Sequence, residues 1–249
     1  MKVIGVIPSR WGSTRFPGKS LYPILGKPLV QHVVEAVQRS TKLDEVLVAT
    51  DDTRIADALH GKVRVVMTRA DHPSGTDRVA EAAGADKDDI VINIQGDEPL
   101  IDPALIDRLV TKMQEDQEWC MATAATPIRT LDDLASTAVV KVVLTRDDAA
   151  LYFSRLPIPC RRDGESQLES GLYFRHLGIY AYRGGFLNQL VKEPPCELEQ
   201  CEALEQLRAL YIGGKIAVLK TDDLGIGVDR PEDVLKVEKI LKEMEIQRG

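Results

Sequence analysis

The chain has 249 residues, 44% of them hydrophobic and 29% charged, with a formal net charge of −7. That length suits one α/β domain whose core needs no disulfide or metal staple, and the balance is that of an ordinary soluble protein. The acidic charge excludes broad nucleic-acid binding, which relies on excess Lys and Arg, yet a local cation cluster could still hold one polyanion.

Lys2 is followed by only a brief apolar run before Pro8, too short for a signal-peptide core. Nowhere do about twenty apolar residues run together as a membrane span requires, so a cytoplasmic protein is expected. Residues 3–7 read as a buried strand. The strand opens through Pro8 and Ser9 into a loop that carries Gly12, Ser13, Thr14 and Gly18, with Arg10, Arg15 and Lys19 among them. Glycines let the backbone approach a ligand, exposed N–H groups form an anion-binding concavity, and the three cations supply charge for a triphosphate. Gly18-Lys19-Ser20 copies the end of a nucleotide-triphosphatase P-loop, but the spacing fails. Five residues, rather than four, separate Gly12 from Gly18, Pro17 removes a donor, and Pro23 and Gly26 stand where a helix should begin. A solvated basic loop is the bland alternative.

Further along, residues 46–49, 63–67 and 90–94 are short β-branched runs like those of a parallel sheet covered on both faces. Val30, Val33, Val34 and Val37 share a helical face after Pro28, and Asp102-Pro103 opens a helix with Leu105, Ile106, Leu109, Val110 and Met113 at helical spacing. Alternating strand and helix predicts an α/β fold with a doubly wound, mostly parallel sheet and ligands at the carboxyl ends of its strands. From about residue 120 the pattern loosens. Residues 121–126, 139–144 and 176–182 look like strands without a helix between each pair, and 157–171 is a loop rich in charge, Pro and Gly. The whole chain is therefore read as one domain, 1–249, with a smaller mixed-sheet extension over about 120–195. A single amphipathic helix is expected to carry Leu198, Cys201, Leu204, Leu207 and Tyr211 inward, and a last one Val234, Val237, Leu241 and Met244. Cys120, Cys160, Cys196 and Cys201 lack the spacing of a zinc site, and reduced thiols are expected.

Three segments carry candidate chemistry. Asp97, in Gln95-Gly96-Asp97-Glu98-Pro99, follows a buried strand where a carboxylate suits Mg²⁺, although the same residues make a good turn. Glu98 is the weaker ligand, because adjacent side chains at a strand end diverge. Asp229 could reach the same cleft, but position alone favours it as N-cap of the helix near Pro231. Glu232 and Asp233 complement that helix's dipole. Ser74-Gly75-Thr76 offers hydroxyls and N–H groups for a base or sugar edge, or else a helix cap. His72, before Pro73, reads as structural.

Taken in order, IPSRWGSTRFPGKSL, VATDD, MTRADHPSGTDR, VINIQGDEP, AVVKVVL, ALYFSRLPIP, RHLGIYAYR, LEQCEALEQLR and GVDRPEDV make the sequence resemble the 3-deoxy-D-manno-octulosonate (Kdo) cytidylyltransferases over nearly its whole length. The resemblance implies a nucleotide-diphospho-sugar transferase-like fold, CTP and Kdo as substrates, CMP-Kdo and diphosphate as products, Mg²⁺ as cofactor and a homodimer. It implies Arg10, Lys19, Asp97 and Asp229 as catalytic residues, with Asp97 and Asp229 on the metal, which reverses the cap preference for Asp229. Pro8, Ser9, Arg10, Gly12, Ser13, Thr14, Arg15, Lys19, Ser74, Gly75, Gln95 and Gly96 would hold the nucleotide. Arg78, Gln95, Arg155, His176, Tyr180, Glu202 and Glu205 would contact the sugar acid, and the extension would also supply the dimer contact. A transferase for another acid sugar, a nucleotide sensor with a dead site and a scaffold protein are the competing readings.

Overall fold

The computed structural model describes residues 1–12, 16–162, 168–223 and 225–248, the last four by backbone alone. In chain order the strands and helices are β1 (Val3–Pro8), β2 (Pro23–Ile24), β3 (Lys27–Pro28), α1 (Leu29–Val37), β4 (Glu45–Thr50), α2 (Thr53–Ala58) and β5 (Arg64–Met67). Then follow α3 (Gly75–Ala83), β6 (Ile90–Asn93), α4 (Pro103–Glu115), β7 (Met121–Pro127), α5 (Leu131–Ala135), β8 (Lys141–Leu144) and β9 (Ala150–Ser154). The chain closes with β10 (Phe174–Arg183), α6 (Gly184–Leu190), α7 (Glu197–Glu202), α8 (Gln206–Tyr211), β11 (Ile216–Lys220) and α9 (Pro231–Arg248).

The main sheet runs in the order β11-β7-β10-β6-β1-β4-β5. β1 pairs in parallel with β4 and β6, β4 with β5, and β11 with β7, so the expected mostly parallel sheet is present. Alternation along β1 sends Val3 and Ile7 into one apolar layer and Ile4 and Val6 into the other. The first layer takes the apolar faces of α1, α2 and α4, and the second those of α3, α6 and α8. Asp102 caps α4 by accepting the N–H of Ala104, with Pro103 in the first turn, as the sequence leads one to expect.

Three expectations change. Residues 120–195 do not stand apart as an extension, because β10 inserts antiparallel between β6 and β7 at the middle of the sheet. Among the described residues, the β8–β9 hairpin joins the sheet off its main path, pairing with β10 at Phe174 and Arg175 and packing Val142 and Phe153 into the second layer. The helix expected to carry Leu198 through Tyr211 is two short helices broken at Ala203, whose φ is 51°. The break turns Leu204 and Leu207 inward and leaves Leu198, Cys201 and Tyr211 exposed, so those three are not core. The final helix behaves as expected: Val234 and Val237 are buried against Phe16, Ile24, Leu29 and Val228 in a small core of their own. All four cysteines are free.

Candidate active site

The carboxyl ends of β1 and β6 lie side by side, so the chain leaving each reaches the same edge of the sheet. Gly96 makes the closest approach. A Cβ there would lie 2.8 Å from the Pro8 carbonyl oxygen, so only glycine lets Gln95 and Asp97 pass so near the first loop. Asp97 then bonds to a distant segment: its carbonyl oxygen accepts the N–H of Val228 at 2.9 Å. Val228 is wholly buried beneath α9, which anchors Asp229 beside it.

Lys19 closes this arrangement. Its Nζ lies 2.5 Å from Asp97 Oδ2 and 3.6 Å from Asp229 Oδ1, so one ammonium faces both carboxylates. Asp229 is therefore placed in the cleft. The first turn of α9 is instead satisfied by Asp233, whose Oδ2 accepts the N–H groups of Asp229 and Arg230. Around the pair lies a cleft of about 350 Å³, lined by Pro8, Ser9, Arg10 and Lys19, by Ser74, Gly75 and Arg78, by Gln95, Gly96 and Asp97, and by Asp229. The size fits a small-molecule ligand.

The lining residues hold one another. Ser9 Oγ donates to Ser20 Oγ at 2.8 Å, tying the start of the loop to its end. Ser74 caps α3, accepting the N–H of Thr76 and Asp77, so the cap reading and the placement in the cleft are both correct. Arg78 is almost fully buried and donates to Thr68 Oγ1 at 2.6 Å and to Asp51 Oδ2 at 3.0 Å. Gln95 Nε2 donates to the Gly178 carbonyl at 3.2 Å, where β10 shifts register between Leu177 and Tyr180. Glu98 is not in the lining, and its side chain lies against Gly178 and Gly227. Its carboxyl is pushed up to about 8, first by burial and then by the charges of Asp97 and Asp223, against the pull of Arg175, although the residue keeps some surface open to solvent.

Sequence reasoning missed Ser20, His72 and Pro73, which also line the cleft. The signals were present, in the hydroxyl that completes Gly-Lys-Ser and in the His-Pro step before the Ser74 cap. His72 Nε2 lies 2.7 Å from Glu81 Oε2, and the His72 side chain is nearly inaccessible. Gly12 is exposed, with nothing within 4 Å of a notional Cβ, and does not line the cleft. Ser13, Thr14 and Arg15 lie outside the described residues.

Arg155, His176, Tyr180, Glu202 and Glu205 are not in this lining. Arg155 does not offer a free fork, because its guanidinium donates to the carbonyls of Glu202, Thr137 and Ala203 at 2.6, 3.0 and 3.1 Å. Glu202 in turn accepts from Ser154 Oγ and the Arg155 N–H, so both residues brace the turn between α7 and α8. His176 lies 4.9 Å from Phe153 and 5.4 Å from Tyr180, centroid to centroid, and its Nε2 is 3.0 Å from Thr123 Oγ1. Burial drives its pKa down to about 3, so the ring is neutral. The pKa of the Tyr180 phenol is raised, first by burial and then by the charges of Glu205 and Glu98.

Among the described residues no set of three or more His, Cys, Asp or Glu side chains could hold a metal unaided. Two carboxylates meeting at one cation nevertheless suit Mg²⁺, which is commonly bound by one or two carboxylates together with phosphate oxygens and water.

An open sheet whose carboxyl edge gathers cations, hydroxyls and paired acids is the setting in which α/β folds bind nucleotides. The cytidylyltransferase family model matches residues 4–216, and the chain belongs to that family. A 3-deoxy-manno-octulosonate cytidylyltransferase of Geobacter sulfurreducens is 49% identical, covering 97% of this chain and all of the relative. Its counterpart in Bdellovibrio bacteriovorus is 48% identical, over 97% of this chain and 98% of the relative. A solved structure of CMP:2-keto-3-deoxy-manno-octonic acid synthetase complexed with CTP superposes with a TM-score of 0.91 at 41% identity, covering 98% of this chain and all of that one. Within the family, the chain stands among the 3-deoxy-manno-octulosonate cytidylyltransferases.

Proposed function

We propose that the chain activates an acid sugar by the reaction CTP + Kdo → CMP-Kdo + diphosphate, in the cytoplasm, as a step toward lipopolysaccharide. The observation that carries this reading is the meeting of Asp97 and Asp229 at Lys19, beside the loop that starts at Pro8. The relatives' names supply the substrates.

In this reading Arg10 and Lys19 bind the triphosphate, and Ser74, Gly75, Gln95 and Gly96 border the nucleoside. The sugar's anomeric hydroxyl attacks the α-phosphorus and diphosphate leaves in line, so rate comes mainly from positioning and charge stabilisation. Arg10 and Lys19 take up the charge that grows on the departing diphosphate. Asp97 and Asp229 would hold Mg²⁺. When bound, the ion supplies positive charge that acidifies a hydroxyl and neutralises phosphate oxygens. The sugar acid is assigned to the side of the cleft where Gln95 meets the β10 register shift, toward His176, Tyr180 and Glu205. A neutral His176 and a raised Tyr180 phenol are suited there to hydrogen bonding without charge. Arg78 and Arg155 serve by holding structure around these groups.

A homodimer is also part of the proposal. Leu151, Leu156 and Leu172, at 59, 64 and 57% exposure, lie on or beside the β8–β9 hairpin, where apolar surface calls for a partner.

The test is diphosphate release from purified protein supplied with Kdo, Mg²⁺ and each nucleoside triphosphate in turn. CTP is expected to be the working nucleotide. Asp97→Asn should lower turnover by about 10²–10³, equivalent to roughly 3–4 kcal/mol for one preorganised contact, with an unchanged circular dichroism spectrum. Near-normal turnover in that variant overturns the assignment.

A further inference from the structure

The loop after β1 leaves and returns through a neck made of Trp11 and Gly18. The Gly18 N–H donates to the Trp11 carbonyl at 3.2 Å, which closes the neck at the backbone. The indole closes it again at the side chain. A Cβ on Gly18 would stand 2.9 Å from Trp11 Cη2 and 3.1 Å from Cζ2, and Gly18 has a φ of 71°. Glycine is thus required there twice, once for the ring and once for the left-handed backbone.

The indole is gripped from α2, the helix that follows β4. The Arg54 guanidinium carbon lies 3.4 Å from the Trp11 ring centroid, the geometry of a cation–π stack. Arg54 is itself fixed by Asp52, the N-cap of α2, whose carboxylate accepts from Arg54 Nε at 2.9 Å, from Nη2 at 2.5 Å and from the Arg54 backbone N–H at 2.9 Å. A planar guanidinium held by a bidentate carboxylate has little freedom left, so it can act as a rigid plate. Neither Arg54 nor Trp11 lines the cleft. The chain neighbours of the two neck residues do: Arg10 precedes Trp11 and Lys19 follows Gly18. The width of the neck therefore sets the separation of the two cleft cations.

We infer that Trp11 and Arg54 are positioning residues for the nucleoside triphosphate: the Asp52–Arg54–Trp11 stack clamps the neck of the loop and so holds Arg10 and Lys19 at the spacing that the polyphosphate spans. The inference rests on the proposed use of CTP. It gives a task to a cation and an aromatic ring that the chemistry of transfer leaves unused.

The test compares Trp11→Ala, Trp11→Phe, Arg54→Ala and Arg54→Lys in steady-state kinetics with CTP as the varied substrate. Arg54 is half exposed, so its variants should fold, which circular dichroism and thermal unfolding would check. Trp11→Ala and Arg54→Ala should raise the KM for CTP at least tenfold while kcat at saturating CTP stays within threefold. Trp11→Phe, which keeps an aromatic face, should recover most of that loss, and Arg54→Lys, which keeps charge without the plate, only part. A purely structural role would lower the unfolding midpoint without this split. A CTP KM within twofold of wild type for both alanine variants overturns the inference, as does a fall in kcat at unchanged KM. A second readout uses the fact that the chain has two tryptophans, Trp11 and Trp119. In Trp119→Phe, emission from Trp11 should change on titration with CTP, and the change should vanish when Arg54→Ala is added; an unresponsive signal also overturns the inference. If the wild-type enzyme releases no diphosphate from CTP, it is the proposed function that fails. If the wild type turns over and Arg54→Ala matches it, only the clamp fails.

Discussion

His176 shows what burial does to one side chain. It is enclosed by Phe153, Tyr180 and Thr123, with no carboxylate among those contacts to stabilise a charged ring. Its pKa falls from 6.5 to about 3 through burial alone. Between those values the unfolded chain takes up a proton at this site that the folded chain refuses. The folded state keeps its full stability above pH 6.5 and loses it progressively as pH falls toward 3. At about 1.4 kcal/mol per pKa unit, even a fraction of that shift is visible in an unfolding curve. His176→Gln removes the titration while leaving a polar group for Thr123. The midpoint of thermal unfolding, followed from pH 7 to pH 4, should therefore fall less steeply in His176→Gln than in wild type. Parallel slopes would show that another group carries the acid sensitivity. Much at this scale was legible in the sequence: Asp97, Lys19 and Gly96 stand where a strand end and a glycine-bearing loop suggested. Asp229 was less so, since an acid two residues before Pro231 looks like a cap, and only the buried Val228 and the bond to Asp97 place it otherwise.

At the scale of elements, the break between α7 and α8 is the clearest case of structure hidden from pattern. The apolar stripe from Leu198 to Tyr211 has helical spacing throughout, and nothing local in it announces a left-handed residue. Ala203 adopts φ 51° because its surroundings impose it: Arg155 binds the carbonyls of Glu202 and Ala203 on one side and Thr137 on the other. Lys141, wholly buried, adds a second cation, donating to the carbonyls of Ser136, Val139 and Arg155. Burial and the neighbouring Arg155 both lower its pKa. Arg155→Ala leaves the carbonyls of Glu202, Thr137 and Ala203 short of donors and should cost about 1–3 kcal/mol, read as a lower unfolding midpoint. Ala203→Gly, which suits a positive φ, should raise the midpoint in the wild type and restore part of it in Arg155→Ala. Unchanged midpoints in both variants would mean that the turn holds without the arginine. The same hidden tertiary logic applies to β10. Its residues read plainly as a strand, but antiparallel insertion between β6 and β7 depends on partners some fifty to ninety positions away in sequence.

At the scale of the whole molecule, the parallel half of the sheet was readable because each β-branched run is short, apolar and followed by an amphipathic helix. Of the outer hairpin β8 was readable, within residues 139–144, but β9 was not, because its place depends on pairing with β8 and on packing Phe153 into a core built by distant segments. An edge strand flanked by exposed leucines invites a second copy. In the proposed dimer, wild-type protein should elute with a light-scattering mass twice that of the chain, whereas Leu151→Lys/Leu156→Lys should shift toward single-chain mass with its secondary structure intact. An unchanged mass in that variant would move the contact elsewhere on the surface.

The hydrogen bond from Val228 to Asp97 also has a temporal meaning. A nascent chain can lay down its central strands and its first cationic turn long before the last acid leaves the ribosome. Until then Lys19 has one carboxylate for company, and the second arrives only when the closing helix docks. A product of premature termination or clipping ahead of that point would lack half of the acidic pair and also the packing of Val228, Val234 and Val237 on Phe16, Ile24 and Leu29, so the first loop would lose its footing together with the second acid.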